Sequence, residues 1–556
     1  MAAPARAAGS PWLHGPVSDL LLGGGLIYIP ILLVLLFAGA QIQSALSLSL
    51  MPLVALAFST PHLGATLLRV YERVEDRRAY RLFAFHATVL IAALFGVGLY
   101  HSLVGSILIT LYLTVVPWHF TGQNYGIALM SLRRRGVEIT PDVKRLIYAS
   151  FVLTYVMTLL ALHGRTLTDA YAPLETAGTI YTFLTLGIPP EVQGPAILLA
   201  AGAYLWTLWA AASRLLRHAP LSDLWPAATL VLTQALWYSV PILLLMLAPT
   251  DRLGPLSPAN FGFTFLWVSM CHGLQYLWIT TYYARRQNPP TPPTRFLLKA
   301  LLTGAAIYGF PILLFAPGVL GRLPYDSGLF LMIAGALNVH HVLLDSAIWK
   351  LRDGRIAQIL IRGTAESSKD SSARPRARAS RSWVRPLVWA SGIVGVVLTV
   401  AGSLEMEFGY VRAMERGDLA RMEVAAQRLT WMGRDSSRLR AAIGTYKAEQ
   451  GDAFGAIAQL QRSVDLEPNA VALINLGVIQ ERAGEVEDAL ASYERALEVD
   501  GANVDALFYA GRASLKAGQP ERAQQLLRRA ARLSPERPEI LRALRRARQR
   551  GAVPQA

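Results

Sequence analysis

The chain has 556 residues, of which 53% are hydrophobic and 16% are charged, and its formal net charge is +16. This composition excludes an ordinary soluble enzyme and is typical of a polytopic membrane protein. The single cysteine, Cys271, excludes an internal disulfide and a cysteine metal cluster.

Apolar segments long enough to cross a bilayer recur between residues 19 and 403. A spanning helix needs about 20 mostly apolar residues. This rule predicts eleven spans, at 19–41, 44–67, 82–102, 104–130, 146–163, 194–215, 225–248, 260–283, 296–318, 327–349 and 385–403. The sequence therefore predicts an all-α fold with a polytopic membrane domain of about ten spans at 1–360 and a final transmembrane helix at 385–403.

Basic side chains gather in every second loop between these spans. They include Arg69, Arg73, Arg77, Arg133, Arg134, Arg135, Arg214, Arg217, Arg285, Arg286, Lys350 and Arg352. The positive-inside rule places these loops and the amino terminus in the cytoplasm. Eleven spans then put residues 404–556 outside, in the periplasm of a bacterial inner membrane. The Ser/Arg-rich segment 361–384 is predicted to be a disordered basic cytoplasmic linker.

Six histidines fall at a similar depth in the predicted spans: His62, His86, His119, His272, His340 and His341. Ionisable side chains within a membrane are costly and face the interior of the helix bundle. Because neutral imidazole binds iron, copper, zinc and nickel, six at one level predict a metal site. We favour iron and leave haem open. For His86, a plain interhelical hydrogen bond is an equally open alternative.

Polar residues accompany these histidines at helical spacing. Gln123 lies four residues after His119, and Gln275 lies three after His272, so each pair shares a helix face. On the last of these spans, Asn338 precedes His341 by three residues and Asp345 follows it by four. A ligating histidine usually donates its other N–H to a carboxylate or carbonyl. We therefore predict these four polar residues as cofactor-binding groups, with Asp345 as the acceptor for His341.

The segment STPH, which ends at His62, and the spread of histidines over separate spans resemble the bacteriorhodopsin-related, iron-dependent carotene-cleaving dioxygenases. The resemblance implies an iron-dependent oxidoreductase acting on a lipid or an isoprenoid. The HxxxH and HxxHH boxes of membrane desaturases and hydroxylases are absent from the sequence.

Residues 437–535 repeat with a period of 33–34. The recurring residues are Gly444, Gly477 and Gly511, then Ala456, Ala489 and Ala523, then Pro468, Gly501 and Pro535. Small residues let paired helices approach closely, and the closing Pro or Gly ends the second helix. The pattern resembles the tetratricopeptide repeat. This implies an α-solenoid at 404–556 that recruits a protein partner.

Two other functions remain open. One is a non-enzymatic membrane scaffold, assembly or transport protein in which the histidines only join helices. The other is a glycosyltransferase that uses a lipid-phosphate sugar, which needs paired carboxylates in an outer loop, and the sequence offers none near a span end. A nucleic-acid partner is not indicated, because much of the basic charge is distributed over short loops.

Overall fold

Helices form nearly all of the regular structure of this chain, which is seen in a computed structural model. The structure describes residues 10–45, 48–72, 74–164, 174–176, 179–248, 251–256, 260–287, 292–316, 321, 323, 327–349, 354–362 and 384–551. The chain divides into two units. The first comprises Met1–Glu175, Thr179–Phe310 and Ser327–Val400, and the second comprises Thr176–Gly178, Pro311–Asp326 and Ala401–Ala556.

The helices up to residue 404 carry most of the hydrophobic sequence. They are α1 Pro16–Ser18, α2 Tyr28–Ala45, α3 Met51–Tyr71, α4 Val74–Ala79, α5 Thr88–Gly98, α6 Ser102–Arg134, α7 Pro141–Leu162, α8 Pro190–Leu215, α9 Leu221–Gln234, α10 Val240–Leu247, α11 Phe261–Gln287, α12 Pro293–Phe315, α13 Ser327–Ile348, α14 Gly354–Ala357 and α15 Val384–Leu404. These helices are interrupted by short π-helical turns at Asp19–Gly23, Leu82–Ala87, Ala235–Ser239 and Gln358–Arg362, and by 3₁₀ turns at Leu48–Leu50 and Asp251–Leu256. Two short strands, β1 Leu174–Thr176 and β2 Thr179–Tyr181, pair with each other.

Among the described residues, seven helices are long and apolar enough to cross a membrane, or eight if Pro16–Gly23 and Tyr28–Gln43, bent by 47°, count as one broken span. Each of the eleven predicted segments contains a helix, but the predicted number of spans is not reached. The helix at Leu82–Gly98 is short, and α11 and α12 are not among the seven. The linker predicted at 361–384 lies outside the described residues except at its two ends.

Glycines allow two helices of the first unit to touch backbone to backbone. A Cβ added at Gly64 of α3 would lie 1.8 Å from the carbonyl oxygen of Ala300 on α12. In the opposite direction, a Cβ at Gly304 of α12 would lie 1.9 Å from the carbonyl oxygen of Thr60. Small residues at such crossings let helices approach closely where no hydrophobic effect drives association.

The second unit is a row of short helices after the π-helical segment Glu405–Val411. They are α16 Arg412–Glu415, α17 Leu419–Trp431, α18 Ser437–Glu449, α19 Ala453–Leu466, α20 Ala470–Ala483, α21 Val486–Val499, α22 Val504–Lys516, α23 Pro520–Leu533 and α24 Pro538–Gly551. Caps fix several of their starts. Asp452, Asn469 and Asn503 each accept a hydrogen bond from the backbone N–H three residues on, at 2.8, 2.8 and 3.0 Å.

The predicted repeat pattern is confirmed in the packing of three helix pairs. In each pair, the recurring glycine of the first helix faces a large residue sixteen positions later on the second. A Cβ at Gly477 would lie 2.5 Å from the Tyr493 ring, and one at Gly511 would lie 2.7 Å from Leu527. The alanines Ala456, Ala489 and Ala523 are fully buried. The 33–34-residue period in the sequence therefore arises because the same glycine contact recurs in each of the three helix pairs.

Glu481 ties two neighbouring repeats together. Its Oε1 accepts from Arg512 at 2.9 Å and from Lys516 at 2.7 Å, and its Oε2 accepts from the Tyr493 hydroxyl at 3.1 Å. Burial alone would raise the pKa of Glu481, but these donors outweigh burial and hold the pKa below its ordinary value. Its contribution to stability is therefore present at neutral pH and is lost as the pH falls through the folded-state pKa.

We expect Glu481→Gln to lower the free energy of unfolding of the repeats by about 2 kcal/mol at pH 7, because charged hydrogen bonds are lost. The difference from the wild type should shrink in acid, where Glu481 itself is protonated. Hydrogen exchange of α20–α22 at pH 7 and in acid measures both effects. Glu498→Gln, at an exposed position of α21, is the matched control. An equal loss in that variant would contradict the assignment.

Candidate metal centre

Four histidines from four helices converge inside the first unit. They are His62 of α3, His119 of α6, His272 of α11 and His341 of α13. One ring nitrogen of each lies within 4.8 Å of those of the other three. His62, His272 and His341 are buried, and the His119 side chain is 10% exposed. Residues up to 279 positions apart in the sequence thus meet at one point.

The four imidazoles form a closed ring of edge-to-face contacts. His62 lies 4.8 Å from His272 and 4.3 Å from His341 between ring centroids. His119 lies 5.1 Å from His272 and 5.0 Å from His341. Their interplanar angles are 77–84°, so neighbouring rings are nearly perpendicular.

The local sequence lets these helices come close. Proline precedes His62 directly, as Pro61, and precedes His119 by two residues, as Pro117, so each helix loses a backbone hydrogen bond near its histidine. Gly273 follows His272, and a Cβ there would lie 3.1 Å from the backbone oxygen of Phe58 on α3.

Buried polar atoms without hydrogen-bond partners surround the meeting point. In the described part of the chain they are Nε2 of His62, His119 and His341, both ring nitrogens of His272, and Oδ2 of Asp345. Buried polar groups are almost always paired, because an unpaired one costs about 1–3 kcal/mol. Six such atoms in one place make this cluster the candidate ligand site of the first unit.

Asp345 lies against this cluster. Its Oδ2 is 3.4 Å from Nε2 of His341 and 3.7 Å from Nε2 of His119. Its Oδ1 accepts hydrogen bonds from the hydroxyls of Thr66, at 3.0 Å, and Tyr276, at 2.9 Å. No lysine or arginine of the described residues pairs with this buried carboxylate, so a bound cation would offset its charge.

The Thr66 hydroxyl lies between Asp345 and His341, 3.0 Å from Oδ1 of Asp345 and 3.0 Å from Nδ1 of His341. With Thr66 donating to Asp345, Nδ1 of His341 would carry the proton, and Nε2 would keep a lone pair that can bind an ion. We predicted that His341 donates directly to Asp345. The structure places Nε2 of His341 3.4 Å from Oδ2 of Asp345 and also links the two residues through the Thr66 hydroxyl.

The spacing suits a single transition-metal ion. Bonds of about 2.1 Å to imidazole nitrogen place ligand atoms about 3.4 Å apart in a tetrahedron and about 4.2 Å apart across an ion. The nitrogens here lie within 4.8 Å of one another, so small side-chain shifts would bring them onto one ion.

Two predicted ligands lie apart from this group. His86 is exposed and packs its ring against Phe85, so it does not join the buried four. His340 is turned away from His341, and its Nε2 lies 2.8 Å from the hydroxyl of Thr88. The reason is helical geometry, since adjacent residues point about 100° apart.

The predicted amide groups have partners among themselves. Gln123 donates to Gln275 at 2.6 Å, Gln275 to Asn124 at 3.0 Å, and Asn124 to Gln234 at 2.8 Å. Gln234 donates in turn to the hydroxyls of Thr121 and Thr154. This series of hydrogen bonds joins helices α6, α7, α9 and α11 beside the histidine cluster. Asn338 donates instead to the carbonyl oxygen of Ala334 on its own helix.

Sequence reasoning missed Thr66 and Gln234. Thr66 lies four residues after His62, the same spacing that pointed to Asp345, and this signal could have revealed it. Gln234 stands alone in an apolar stretch, where a polar residue within a span is itself informative.

Comparison with known proteins defines the second unit. Its paired antiparallel helices with a recurring Gly–large contact belong to the class of α-solenoids. Family models described as tetratricopeptide repeat match residues 441–500 and 481–547. Residues 441–547 of this chain are therefore tetratricopeptide repeats, as predicted, and such repeats are protein-interaction modules.

Solved structures with similar repeats include the first TPR of Spaghetti (RPAP3) bound to an HSP90 peptide, with 22% identity over 21% of this chain and 94% of that chain and a TM-score of 0.21. MamA shares 18% identity over 27% of this chain and 82% of that one, with a TM-score of 0.25. YrrB, a TPR protein with an unusual peptide-binding site, has 20% sequence identity over 29% of this chain and 88% of its own, with a TM-score of 0.22. No curated protein matches the chain. The resemblance of the amino-terminal part to carotene-cleaving dioxygenases finds no support here.

Proposed function

We propose that the protein is an integral membrane oxidoreductase in which His62, His119, His272 and His341 hold one iron ion that acts on a lipid or an isoprenoid. The observation that carries the proposal is the set of six buried, unpartnered ligand atoms of these histidines and Asp345. Iron accepts imidazole ligands and, with positions left open, activates oxygen. The repeats recruit a protein partner to this enzyme.

The residues of the chain have separate roles around the ion. Four imidazoles bind it, and Asp345 balances its charge in an apolar interior. Thr66 and Tyr276 hold Asp345 in place through its other oxygen. With four ligand nitrogens within 4.8 Å, the second pair of imidazoles occupies the plane that a porphyrin ring would need, which favours a bare ion over haem.

Membrane insertion is supported by seven long apolar helices among the described residues and by the position of charge at helix ends in the first unit. Helices α3, α6, α8 and α11 all end in a basic last turn, with Arg69, Arg134, Arg214 and Arg286 among these residues. The positive-inside rule places those ends in the cytoplasm. Basic residues at 350–362 favour a cytoplasmic position for the segment before α15, so α15, as the last span, would leave the repeats outside, in the periplasm of a bacterial inner membrane.

A scaffold whose histidines only join helices accounts less well for the same atoms. Histidines with that role should donate and accept across helices. His163 shows this pattern, since its Nε2 lies 3.1 Å from the Thr114 hydroxyl and its Nδ1 accepts from the backbone of Leu186. Among the four clustered histidines, His341 makes one such bond, through Nδ1 to Thr66, but five of their ring nitrogens have no partner in the described part of the chain.

Isotopic oxygen tests the proposed reaction class. We expect iron-loaded protein in bilayers containing β-carotene or unsaturated phospholipid to incorporate ¹⁸O from ¹⁸O₂ into a product detected by mass spectrometry. His341→Ala should abolish the label, and His340→Ala should retain it. Iron-loaded protein that labels neither probe would contradict the oxygenase reaction and favour the scaffold.

A further inference from the structure

The last two helices of the repeat unit differ in charge from the helices before them. Residues 437–519 contain eight Lys and Arg and twelve Asp and Glu. Residues 520–551 contain ten Arg and three Glu. An acidic solenoid thus ends in a strongly basic cap.

The arginines of α24 lie on its exposed face. Ile540, Ala543, Leu544 and Ala547 pack inward against α23. Arg542, Arg545, Arg546, Arg548 and Arg550 are exposed. Within the part of the chain that the structure describes, Arg545, Arg546 and Arg548 form no ion pair, so their charge is available to a partner.

Solubility alone does not explain this face. A solenoid needs a polar outer surface on its terminal repeat. Acidic side chains serve solubility better than basic ones, yet the last ten residues of α24 contain no Asp or Glu. The choice of arginine therefore points to an anionic partner.

Exposed leucines narrow the chemistry of that partner. Leu541 of α24 is 42% exposed, and Leu533 at the end of α23 is 52% exposed. Leu541, Arg545 and Arg548 are spaced four and three residues apart and share a helix face. Apolar side chains beside a row of cations are typical of helices that lie in a membrane interface. A soluble polyanion provides no apolar surface against which these leucines could be buried.

We propose that α24 and the end of α23 dock on a bilayer surface of anionic lipids. The apolar helix α15 ends where the repeat unit begins, so its insertion would tether the repeats to the membrane and make docking intramolecular. The arginines contact lipid phosphates, and the leucines enter the headgroup boundary. This surface goes beyond the proposed function and does not depend on the metal.

Binding of the cap to an anionic bilayer should depend strongly on its arginines and on the salt concentration. Each arginine near an anionic surface contributes about fivefold to the binding equilibrium, so removing three should reduce the ratio of docked to free cap about 100-fold. High salt should release the cap for the same reason.

The test uses the full-length protein with an environment-sensitive fluorophore on Gln549→Cys, an exposed position four residues after Arg545. The native Cys271 is buried. The protein is reconstituted into phosphatidylcholine alone or mixed with phosphatidylglycerol. We expect a blue shift and quenching by spin-labelled lipid only in the anionic bilayer, and loss of both when Arg545, Arg546 and Arg548 become glutamine.

The matched control replaces Arg438, Arg482 and Arg495 by glutamine, which removes the same charge from exposed positions elsewhere in the repeats. This variant should dock like the parent. Unchanged hydrogen exchange in α20–α22 verifies that both triple variants remain folded. Docking on neutral lipid, equal loss in both variants, or displacement by polyglutamate but not by anionic vesicles would each overturn the proposal, the last in favour of an acidic protein.

Discussion

Replacing His272 by alanine is expected to remove the metal from the protein. Wild-type protein expressed with iron should retain about one ion per chain, as a centre built from one set of ligands requires. His272 is 1% exposed, and neither of its ring nitrogens has a hydrogen-bond partner among the described residues. Because loss of even a supporting group costs 10–100-fold in metal affinity, loss of a ligand should cost about 100-fold or more. Elemental analysis after dialysis measures the difference.

His340→Ala is the control for this experiment. His340 is adjacent to His341 on the same helix, but its ring contacts Thr88. Its removal should leave the metal content unchanged. The site would be disproved by wild-type protein that retains no transition metal under any loading condition, or by equal metal loss in the two variants with folding intact.

Replacing Gly64 by alanine is expected to destabilise the bundle and weaken the site together. The added methyl would lie 1.8 Å from the Ala300 carbonyl oxygen, so one helix backbone must move. Overpacking costs about 1–3 kcal/mol where side chains can adjust, and a backbone contact allows less adjustment, so about 3 kcal/mol or more is expected. Gly64 lies two residues after His62, so the same movement displaces a ligand. Thermal unfolding in detergent and metal content are the two readouts.

Gly122→Ala separates crowding from the mere loss of a glycine. Gly122 lies on α6 three residues after His119, and a Cβ there would meet nothing within 4 Å. Alanine favours a helix by about 1 kcal/mol over glycine, so this variant should be as stable as the parent or more stable. A Gly64→Ala protein with unaltered unfolding temperature would show that α3 and α12 do not cross this closely.

The sequence predicted the helical class, the repeats and the core of the site for physical reasons that act locally. A 33–34-residue period needs no knowledge of long-range structure, because each Gly–Leu or Gly–Tyr contact lies within one repeat. His62, His119, His272 and His341 were predicted because an imidazole in an apolar helix has few other uses.

The rest depends on which helices are neighbours, and sequence spacing does not give that. His86 and His340 lie at a depth like that of the four ligands but face other surroundings. Thr66 connects Asp345 and His341 only because α3 packs beside α13. Hydropathy treats each apolar segment alike, whereas among the described residues the helix at Leu82–Gly98 is short and the first span is broken at Gly24 and Gly25.

The order of the four histidines along the chain has a consequence for biosynthesis. The first emerges from the ribosome 279 residues before the last, and helices α4 to α12 are made between them. No truncated product that stops before α13 can assemble the full quartet. Delivery of the proposed ion would therefore follow synthesis of α13, and the bound ion would link α3, α6, α11 and α13.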